Sequence, residues 1–574
     1  MFILGLNVNH ADTSAVILKD GKLLFGSEEE RFTRIKHFTG FPLNSINYCL
    51  KEANISIKQI DRIAVNYKRT YNLQDKIKFS VKNLYKKNFF SKANIFLKKK
   101  SFLSDFKKIY NEDVENKVHY VPHHLAHICS TFYNFDIEEA AGYSFDGSGD
   151  FSTVESYHLK KNNLKIIDKT IYPNSLGIFY QAMTQFLGFK NYGDEYKVMG
   201  LASYGEAKYY DRLKKLFIFD NSHDFKLNLK YFNHQQSVID YDFESGFPYF
   251  DDLFSLRLEN LLGKSRQRNE KINQFHKDIA ASTQKIFEDI ALRKINYIQN
   301  VTKSKNLCLS GGCAFNSVFN GKIKELTEFK NIFVSANVGD AGGALGAALY
   351  ISRKFKNKIC FNNNPYIGTK YSNEYIKTNL ISGLKKYNYI KYKIFDDRNE
   401  LNKFVVSKII EKKIVGWFQD RMEWGPRALG NRSILSDPRD PNMREIINLK
   451  IKKREEFRPF APSILFDQVS DFFEFDEESN YMEKVCKVKI DKKNLIPAVV
   501  HIDQTSRLQT VKKETNFKFY SLIEEFMKQT KIPILLNTSL NVNEPICENP
   551  ENAFEIFTKT SMDVLVIQDW VLTK

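Results

Sequence analysis

Long apolar runs are missing from this chain of 574 residues, although apolar side chains make up 43% of it. A helix that crosses a bilayer needs about 20 consecutive apolar residues, so we predict no transmembrane helix. The first seven residues, from Met1 to Asn7, contain neither a basic leader nor a small-residue cleavage site. We therefore expect a cytoplasmic protein whose chain opens with a β-strand.

Cysteine is scarce and widely spaced, with 7 residues and no Cys-x-x-Cys pair. This spacing argues against a dense disulfide framework. Cys308 and Cys313 flank a glycine pair, yet no activating pattern surrounds them, so we interpret them as packing residues. We expect the thiols to be reduced and mostly buried. They belong to Cys49, Cys129, Cys308, Cys313, Cys360, Cys486 and Cys547.

The net charge of +18 and the pI of about 9.2 would suit a nucleic-acid-binding protein. The excess, however, is mostly lysine spread along the whole chain, which indicates a compositional bias and no nucleic-acid partner. Residues 76–108 are an exception, because lysines alternate there with Phe and Tyr. This stretch could contact an anionic polymer or a membrane surface. Helices with a buried aromatic face and solvated lysines explain it equally well, and we favour that interpretation.

The length predicts two domains, because a single hydrophobic core stops growing at about 250 to 300 residues. The basic, Asn-rich stretch from Arg353 to Tyr366, with Pro365, indicates the boundary. We place the domains at residues 1–360 and 361–574.

Strands and helices alternate along the first domain in an α/β pattern of a nucleotide-binding kind. Asp20-Gly21 between two apolar runs predicts a β-hairpin, and no internal repeat is evident. The predicted strands of this domain are Phe2–Val8, Ser14–Lys19, Lys22–Gly26, Ile60–Tyr67, Val118–Val121, Ala140–Phe145, Asn306–Leu309 and Ile332–Ser335. The predicted helices include Pro42–Ala53, Asn273–Gln299 and Ala314–Lys324. The pattern restarts with strand Ile390–Phe395, helix Glu400–Glu411 and strand Ile414–Phe418.

Two histidines predict a metal site. On a helix, His123 and His127 lie one turn apart on one face, a spacing that lets two imidazoles bind one ion. Histidine pairs also occur as hydrogen-bonded core residues, which is the alternative. Asp146 at a strand end and Asp340 at a glycine-rich helix start would complete the ligand set. Such ligands suit Fe(II), and equally Mn or Zn.

Glycine-rich segments next to these aspartates favour a bound nucleotide. Gly311-Gly312 follows a predicted strand, and the run from Gly339 to Gly346, with Gly342 and Gly343, opens a helix. Backbone N–H groups and the positive dipole end at a helix start suit phosphate oxygens. Glycine pairs also mark tight packing, so each segment alone is a weak signal.

Cations, glycines and prolines are concentrated in a segment of the second half that predicts an anion site. Arginine offers a planar fork of donors for phosphate or carboxylate, and Gly and Pro restrict the loop that carries it. The alternative is simple pairing with a neighbouring carboxylate such as Glu423 or Asp437. The cations are Arg427, Arg432, Lys452, Arg454 and Arg458.

These blocks resemble the O-carbamoyltransferases related to the nodulation, cephamycin and tobramycin carbamoyltransferases. In the second half the match covers Glu423–Ile434 and Phe457–Ser463. In the first half it covers His10 with Asp12, Glu28–Phe32 with Lys36-His37, His123 with His127, Asp146–Gly149, Glu195–Ala202, Gly311–Asn316 and Gly339–Ala344. The resemblance implies an α/β fold with an N-terminal transferase domain of the actin-like ATPase superfamily and a C-terminal YrdC-like domain. It makes Asn316 a further nucleotide-binding candidate.

The implied activity is the transfer of a carbamoyl group to a hydroxyl of a small molecule or sugar, as in natural product or carbohydrate biosynthesis. The C-terminal domain would form carbamoyl adenylate from ATP, accompanied by Mg²⁺, and carbamoyl phosphate. Its candidate contacts are Arg427, Arg432, Lys452, Arg454, Arg458, Arg507 and Asn541. The N-terminal domain would hold the adenylate, and His10 or Asp12 would take the acceptor's proton. The oligomeric state stays open, with a homodimer as one option.

The chain departs from the family pattern at two places in the predicted activation site. Residues 537–546 lack a glycine that relatives commonly have, and Asp420 stands where a glycine is usual. Asp420 could repel phosphate. Two other functions remain as hypotheses. One is a tRNA threonylcarbamoyl transferase-like modifier, which the cationic blocks disfavour, and the other is a non-catalytic ATP-switched binding protein. We expect variable segments such as Asp220–Lys264 to shape the acceptor pocket.

Overall fold

The computed structural model describes residues 1–83, 101–219, 223–235, 239–242 and 246–574. It divides into two compact units, Met1–Asn363 and Asn364–Lys574. Residues 84–100 of the lysine- and aromatic-rich stretch 76–108 lie outside the described residues. So do parts of the segment 220–264, which we expect to shape the acceptor pocket.

The first unit contains strands that build two five-stranded sheets and two small hairpins. These strands are β1 (Phe2–Asn7), β2 (Ser14–Lys19), β3 (Lys22–Glu28), β4 (Arg62–Val65), β5 (Val118–Tyr120), β6 (Glu139–Gly149), β7 (Ser152–Lys160), β8 (Asn163–Ile171), β9 (Phe217–Ile218), β10 (Lys226–Leu227), β11 (Ile239–Asp242), β12 (Phe247–Phe250), β13 (Asn306–Ser310) and β14 (Asn331–Val334). The predicted hairpin is confirmed, because β2 and β3 pair antiparallel around Asp20 and Gly21. Both turn residues have positive φ, at 49° and 81°, as a type I′ turn requires.

The two large sheets have the same topology. The first has the order β3-β2-β1-β4-β5 and the second the order β8-β7-β6-β13-β14, read from its other edge. In the first sheet β3, β2 and β1 pair antiparallel, and β4 and β5 continue the sheet from β1 in parallel. In the second sheet β8, β7 and β6 pair antiparallel, and β13 and β14 continue it from β6 in parallel. This duplicated α/β arrangement is that of the predicted actin-like ATPase superfamily. The repeat is one of strand order, so it was not visible as a repeat in the sequence.

The helices of the first unit cover these sheets. They are Glu30–Thr33, Leu43–Glu52, Leu73–Asn83, Phe102–Tyr110, His123–Phe132, Leu176–Phe186, Glu195–Ala202, Tyr210–Lys214, Leu256–Leu262, Gln274–Thr302, Ser317–Leu326 and Asp340–Lys354. Helix Phe102–Tyr110 buries Phe102 and Phe106 and exposes Lys107 and Lys108, as the structural interpretation of this stretch expected. None of the helices in the described part of the chain has both the length and the apolar character that crossing a membrane requires.

The second unit is an eight-stranded mixed sheet with helices, of the α/β class predicted for it. Its order is β15-β24-β23-β16-β17-β22-β18-β21, and β19 and β20 form a separate hairpin. The strands are β15 (Lys391–Ile394), β16 (Val415–Phe418), β17 (Arg432–Ser436), β18 (Ala461–Leu465), β19 (Val485–Lys487), β20 (Thr505–Arg507), β21 (Gln509–Val511), β22 (Ile534–Ser539), β23 (Val564–Ile567) and β24 (Trp570–Thr573). The α-helices are Asn373–Leu384, Arg398–Ile410, Met443–Ile446, Val469–Phe472, Phe517–Thr530 and Pro550–Lys559. All seven cysteines are free thiols, most of them buried, as predicted.

Candidate functional site

The four predicted metal ligands of the first unit come together in the structure. Helix His123–Phe132 places the two imidazoles one turn apart, β6 supplies Asp146, and Asp340 begins the helix after β14. One ligand atom from each residue lies within 4.8 Å of the others. Nε2 of His127 is 3.2 Å from Oδ2 of Asp146 and 3.4 Å from Oδ1 of Asp340. Nε2 of His123 is 3.5 Å from the same Asp340 oxygen.

The donor set fits a divalent metal ion. The Nε2 atoms of His123 and His127 are 2.9 Å apart, so two imidazole nitrogens and two carboxylates converge on one buried point. The carboxylates of Asp146 and Asp340 counteract burial and raise the pKa of His127 to about 9. A metal ion at this point would compete with that proton, because ligating histidines bind as neutral rings. These residues would hold the ion.

Backbone contacts that the sequence analysis did not assign fix the ligands in place. Oδ2 of Asp150 accepts the backbone N–H of His123 at 2.9 Å, at the start of the helix. Gly149 gives the His123 ring its space, since a β-carbon there would lie 2.0 Å from a ring carbon. Only a tertiary contact creates this need for glycine, so sequence spacing carried no signal of it.

The two predicted proton acceptors are both engaged with neighbouring side chains. Nδ1 of His10 lies 2.8 Å from Oδ2 of Asp340, so His10 orients a predicted metal ligand. Oδ1 of Asp12 lies 2.7 Å from Nδ1 of His37. The backbone N–H of His37 donates to Oε2 of Glu30 at 2.8 Å. Although burial opposes it, the charges of Asp12 and Glu30 raise the pKa of His37 to about 9.

The predicted nucleotide-binding glycines lie at the same end of the unit, and several serve packing. The backbone N–H of Gly312 donates to Oδ2 of Asp146 at 3.0 Å, so it supports a predicted metal ligand. Gly311 has a φ of +88° and lies against the carbonyl of Phe145. Gly339 precedes the Asp340 helix and lies against Phe315.

Three more nucleotide candidates have structural contacts. A β-carbon on Gly342 would lie 1.8 Å from the carbonyl of Asn337, and one on Gly343 would lie 2.5 Å from Asn66. Asn316 caps helix Ser317–Leu326, because its Oδ1 accepts the N–H of Phe319 at 3.0 Å. These contacts favour the tight-packing alternative for Gly342 and Gly343.

In the second unit, Glu423 shapes the loop that carries Arg427. A single oxygen, Oε1, accepts the backbone N–H groups of Leu429, Asn431 and Arg432 at 2.8, 2.7 and 3.0 Å. Glu423 was one of the carboxylates that could have paired with the arginines, but its Oε1 bonds go to backbone N–H groups. Asp437, the other suggested partner, binds Arg439, with a shortest contact of 2.6 Å.

Two predicted anion contacts, Arg427 and Arg454, lie close enough to a third, Arg507, for their charges to act on it. Burial, followed by the positive charges of Arg427 and Arg454, lowers the pKa of Arg507 well below its usual value. Arginine stays protonated at neutral pH in spite of such shifts. A cluster of cations of this kind is what a phosphate or pyrophosphate group would stabilise.

Lys452 and Asn541 form one hydrogen-bonded unit. Nζ of Lys452 donates to the carbonyl and to Oδ1 of Asn541 at 2.9 and 2.8 Å, and to the carbonyl of Ser539 at 2.5 Å. Lys452 ends a π-helical segment, Ile447–Lys452, a rare geometry that is frequent at functional sites. The lysine therefore holds Asn541 in the segment that lacks the family glycine.

The structure places two other predicted contacts differently. Arg432 is fully buried, and its two terminal nitrogens donate to the carbonyls of Thr369, Gln419, Asp420 and Asn431. We therefore interpret Arg432 as a residue that stabilises the backbone around residues 419–431 by hydrogen bonds. Nε of Arg458 lies 2.9 Å from Oε2 of Glu455, so its charge is partly offset.

The fold and the site define an α/β protein with duplicated actin-like topology and a buried cluster able to hold a metal. Family models described as "Carbamoyltransferase N-terminus" and "Carbamoyltransferase C-terminus" match residues 2–349 and 406–574. The chain belongs to the carbamoyltransferase family, and we conclude that it is a transferase enzyme of that class.

Curated relatives are similar along the whole chain. "Nodulation protein NolNO" of Sinorhizobium fredii is 33% identical over 98% of this chain and 79% of its own length. "Uncharacterized protein sll1178" of Synechocystis sp. is 37% identical over 100% of this chain and 96% of its own. Among solved structures, T. kodakarensis HypF aligns with 63% of this chain and 49% of its own, with a TM-score of 0.32 and 14% identity.

Proposed function

We propose that this carbamoyltransferase is ATP-dependent and transfers the carbamoyl group of carbamoyl phosphate to a hydroxyl of a small molecule or sugar. The observation that carries the proposal is the pairing of two sites in one chain. The first unit has the buried cluster of His123, His127, Asp146 and Asp340. The second has Arg427 and Arg454, whose positive charges act on the buried Arg507.

The C-terminal domain, for which we propose residues 361–574, would perform the activation half. One ATP, one carbamoyl phosphate and one water give carbamoyl adenylate, phosphate and pyrophosphate, so several phosphate groups must be bound near one another. Arg427, Arg454 and Arg507 offer donors for these groups and offset charges that would otherwise repel. Lys452, through its hydrogen bonds to Asn541, would position the segment 537–546 against the carbamoyl group of the substrate.

The N-terminal domain, for which we propose residues 1–360, would perform the transfer half. A divalent ion, for which we propose Fe(II) with Mn or Zn as alternatives, would polarise the adenylate when bound. We propose that the backbone around Gly311, Gly312 and Gly339 contacts the adenylate, since Gly312 donates to Asp146 and Gly339 directly precedes Asp340. The acceptor hydroxyl attacks the carbamoyl carbon, and AMP leaves with the electron pair of the broken carbon–oxygen bond.

Product analysis tests this proposal directly. The Fe(II)-reconstituted full chain is incubated with ATP and carbamoyl phosphate without an acceptor, and nucleotides are separated by chromatography. We expect AMP and pyrophosphate that depend on carbamoyl phosphate. ADP alone, or no turnover, would contradict the proposal, and ADP would favour an ATP-switched binding protein.

A further inference from the structure

The turn before helix Glu195–Ala202 lies directly on His37. Gly193 has a φ of +81°, and a β-carbon on it would lie 2.2 Å from Nε2 of the His37 ring. The ring of Tyr192 contacts the same imidazole edge-on, with centroids 5.0 Å apart. The beginning of this helix is therefore fixed next to the Asp12 and His37 pair.

The helix also faces the loop that supports the metal ligands. Oγ of Ser317 lies 3.8 Å from Sδ of Met199, so the Met199 face contacts the end of the Gly311–Ser317 loop. Residues i and i+4 of a helix share a face, so Glu195 projects on the side of Met199. Gly312 in that loop holds Asp146.

The charges around Glu195 agree with this position. The charges that act on its carboxyl are those of His37 and Asp12, on a distant segment of the chain, and that of Asp194, its neighbour in sequence. After burial, the negative charges of Asp146 and Glu195 both raise the pKa of the Cys313 thiol. Glu195 is thus close enough for its charge to interact with the Asp12 and His37 pair, and its helix contacts the loop that holds Asp146.

The residues expected to take the acceptor's proton have other partners. His10 contacts Asp340, and Asp12 contacts His37, which holds a charge. Glu195, in contrast, is a half-buried carboxylate on a helix whose preceding turn lies against the His37 ring. Burial, assisted by the charges of Asp194 and Asp12, raises the pKa of Glu195 to about 7. General bases work best when their pKa lies near the operating pH.

We propose that Glu195 is a catalytic residue of carbamoyl transfer, the base that removes the proton of the acceptor hydroxyl. In this step the hydroxyl oxygen forms a bond to the carbamoyl carbon and its proton passes to the Glu195 carboxylate. The bond from that carbon to the phosphate oxygen breaks, and AMP leaves with the electron pair. This inference rests on the proposed function.

Two rates measured on the full-length, Fe(II)-reconstituted protein test the role of Glu195. Carbamoyl phosphate-dependent exchange of labelled pyrophosphate into ATP reports activation. Release of AMP, with water as the acceptor, reports consumption of the adenylate. In Glu195→Gln we expect the ratio of AMP release to exchange to fall by about 100-fold, the lower end of what general bases contribute. The wild-type ratio should rise with pH through about 7, the rise should disappear in Glu195→Gln, and Glu195→Asp should restore part of the rate.

Glu206→Gln is the matched control, because it removes an exposed carboxylate shortly after the same helix. Its ratio and pH profile should equal those of the wild type. If Glu195→Gln has the same ratio of AMP release to exchange and the same pH profile as the wild type, the role of Glu195 is overturned, while the proposed function stands. The same holds if exchange and AMP release fall in parallel. Absence of exchange in the wild-type protein would overturn the proposed function and this inference with it.

Discussion

Nζ of Lys518 donates to Oδ1 of Asp420 at 3.1 Å. The same ammonium donates to Oε1 of Gln568 at 2.8 Å, and Lys370 lies 3.7 Å from the Asp420 carboxylate. The charge that the sequence analysis expected to repel phosphate is thus offset by two lysines. Asp420 also has a φ of +37°, a left-handed conformation that explains why a glycine suits this position.

Asp420→Gly should leave activation nearly unchanged. The substitution removes the left-handed backbone strain at Asp420, which destabilises the fold by about 1 kcal/mol or more. It also removes a partly exposed ion pair that stabilises the fold by about the same amount. We expect pyrophosphate exchange within about twofold of the wild type, since surface changes of this kind shift free energies by about 0.5 kcal/mol. A rise of ten times or more would show that Asp420 does repel the substrates.

Arg507→Met should weaken anion binding without destabilising the protein. The lost hydrogen bonds to a charged group contribute about 1.5 to 3 kcal/mol, so the Kd for pyrophosphate should rise about 10- to 100-fold. Without ligand, the melting temperature should stay equal or increase, because Arg427 and Arg454 lose a repulsive neighbour. Calorimetry and thermal unfolding measure the two effects.

Arg439→Met is the control for Arg507, because the Arg439 guanidinium is paired with Asp437. It should lower the melting temperature slightly and leave pyrophosphate binding unchanged. Equal binding by Arg507→Met and the wild type would remove Arg507 from the anion site.

Gly149→Ala should abolish metal binding. The added β-carbon would lie 2.0 to 2.4 Å from His123 ring atoms, so the ring must leave its position. Overpacking of this kind costs about 1 to 3 kcal/mol of stability. Metal content per chain, measured by mass spectrometry after Fe(II) reconstitution and desalting, should fall at least tenfold.

Gly147→Ala, two residues away, provides the matched control. A β-carbon at Gly147 would meet nothing within 4 Å, so this variant should keep its metal. Full metal content in Gly149→Ala would show that His123 is not a ligand.

Much of the fold could be predicted from the sequence because local signals agree with it. β2 begins and ends where expected, and helix Gln274–Thr302 was predicted as Asn273–Gln299. The spacing of His123 and His127 likewise predicted, without any tertiary information, that these two ligand candidates share one face of a helix. Local periodicity and turn residues determine such features.

The direction of side chains could not be predicted in this way. Arg432 and Arg427 belong to one cationic block, yet the first donates to backbone carbonyls and the second acts on Arg507. Glu195 was part of the family resemblance without a role, because its position beside Asp12 depends on contacts between distant segments. Sequence identifies the chemical groups, but tertiary packing decides which of them face a ligand.

The Asp12 and His37 pair should make stability depend on pH. The pKa of His37 is raised to about 9 in the folded protein, above its usual 6.5. The pair therefore stabilises fully below about pH 6.5, and this contribution is lost as the pH rises through 9. Asp12→Asn should cost about 1 to 2 kcal/mol at pH 6, a value reduced for solvent screening, and nothing near pH 10. Asparagine tolerates the positive φ of 57° at this position, so the backbone should not change.

Thermal unfolding of the wild type and Asp12→Asn at pH 6 and pH 10 measures this difference. Glu139→Gln is the control, because Glu139 contacts His158 in a more exposed pair whose contribution should be small at both pH values. The gap between wild type and Asp12→Asn must close as the pH rises, because deprotonation of His37 removes the attraction that the substitution abolishes. A gap of constant size would mean that Asp12 stabilises the protein through contacts other than the charge of His37.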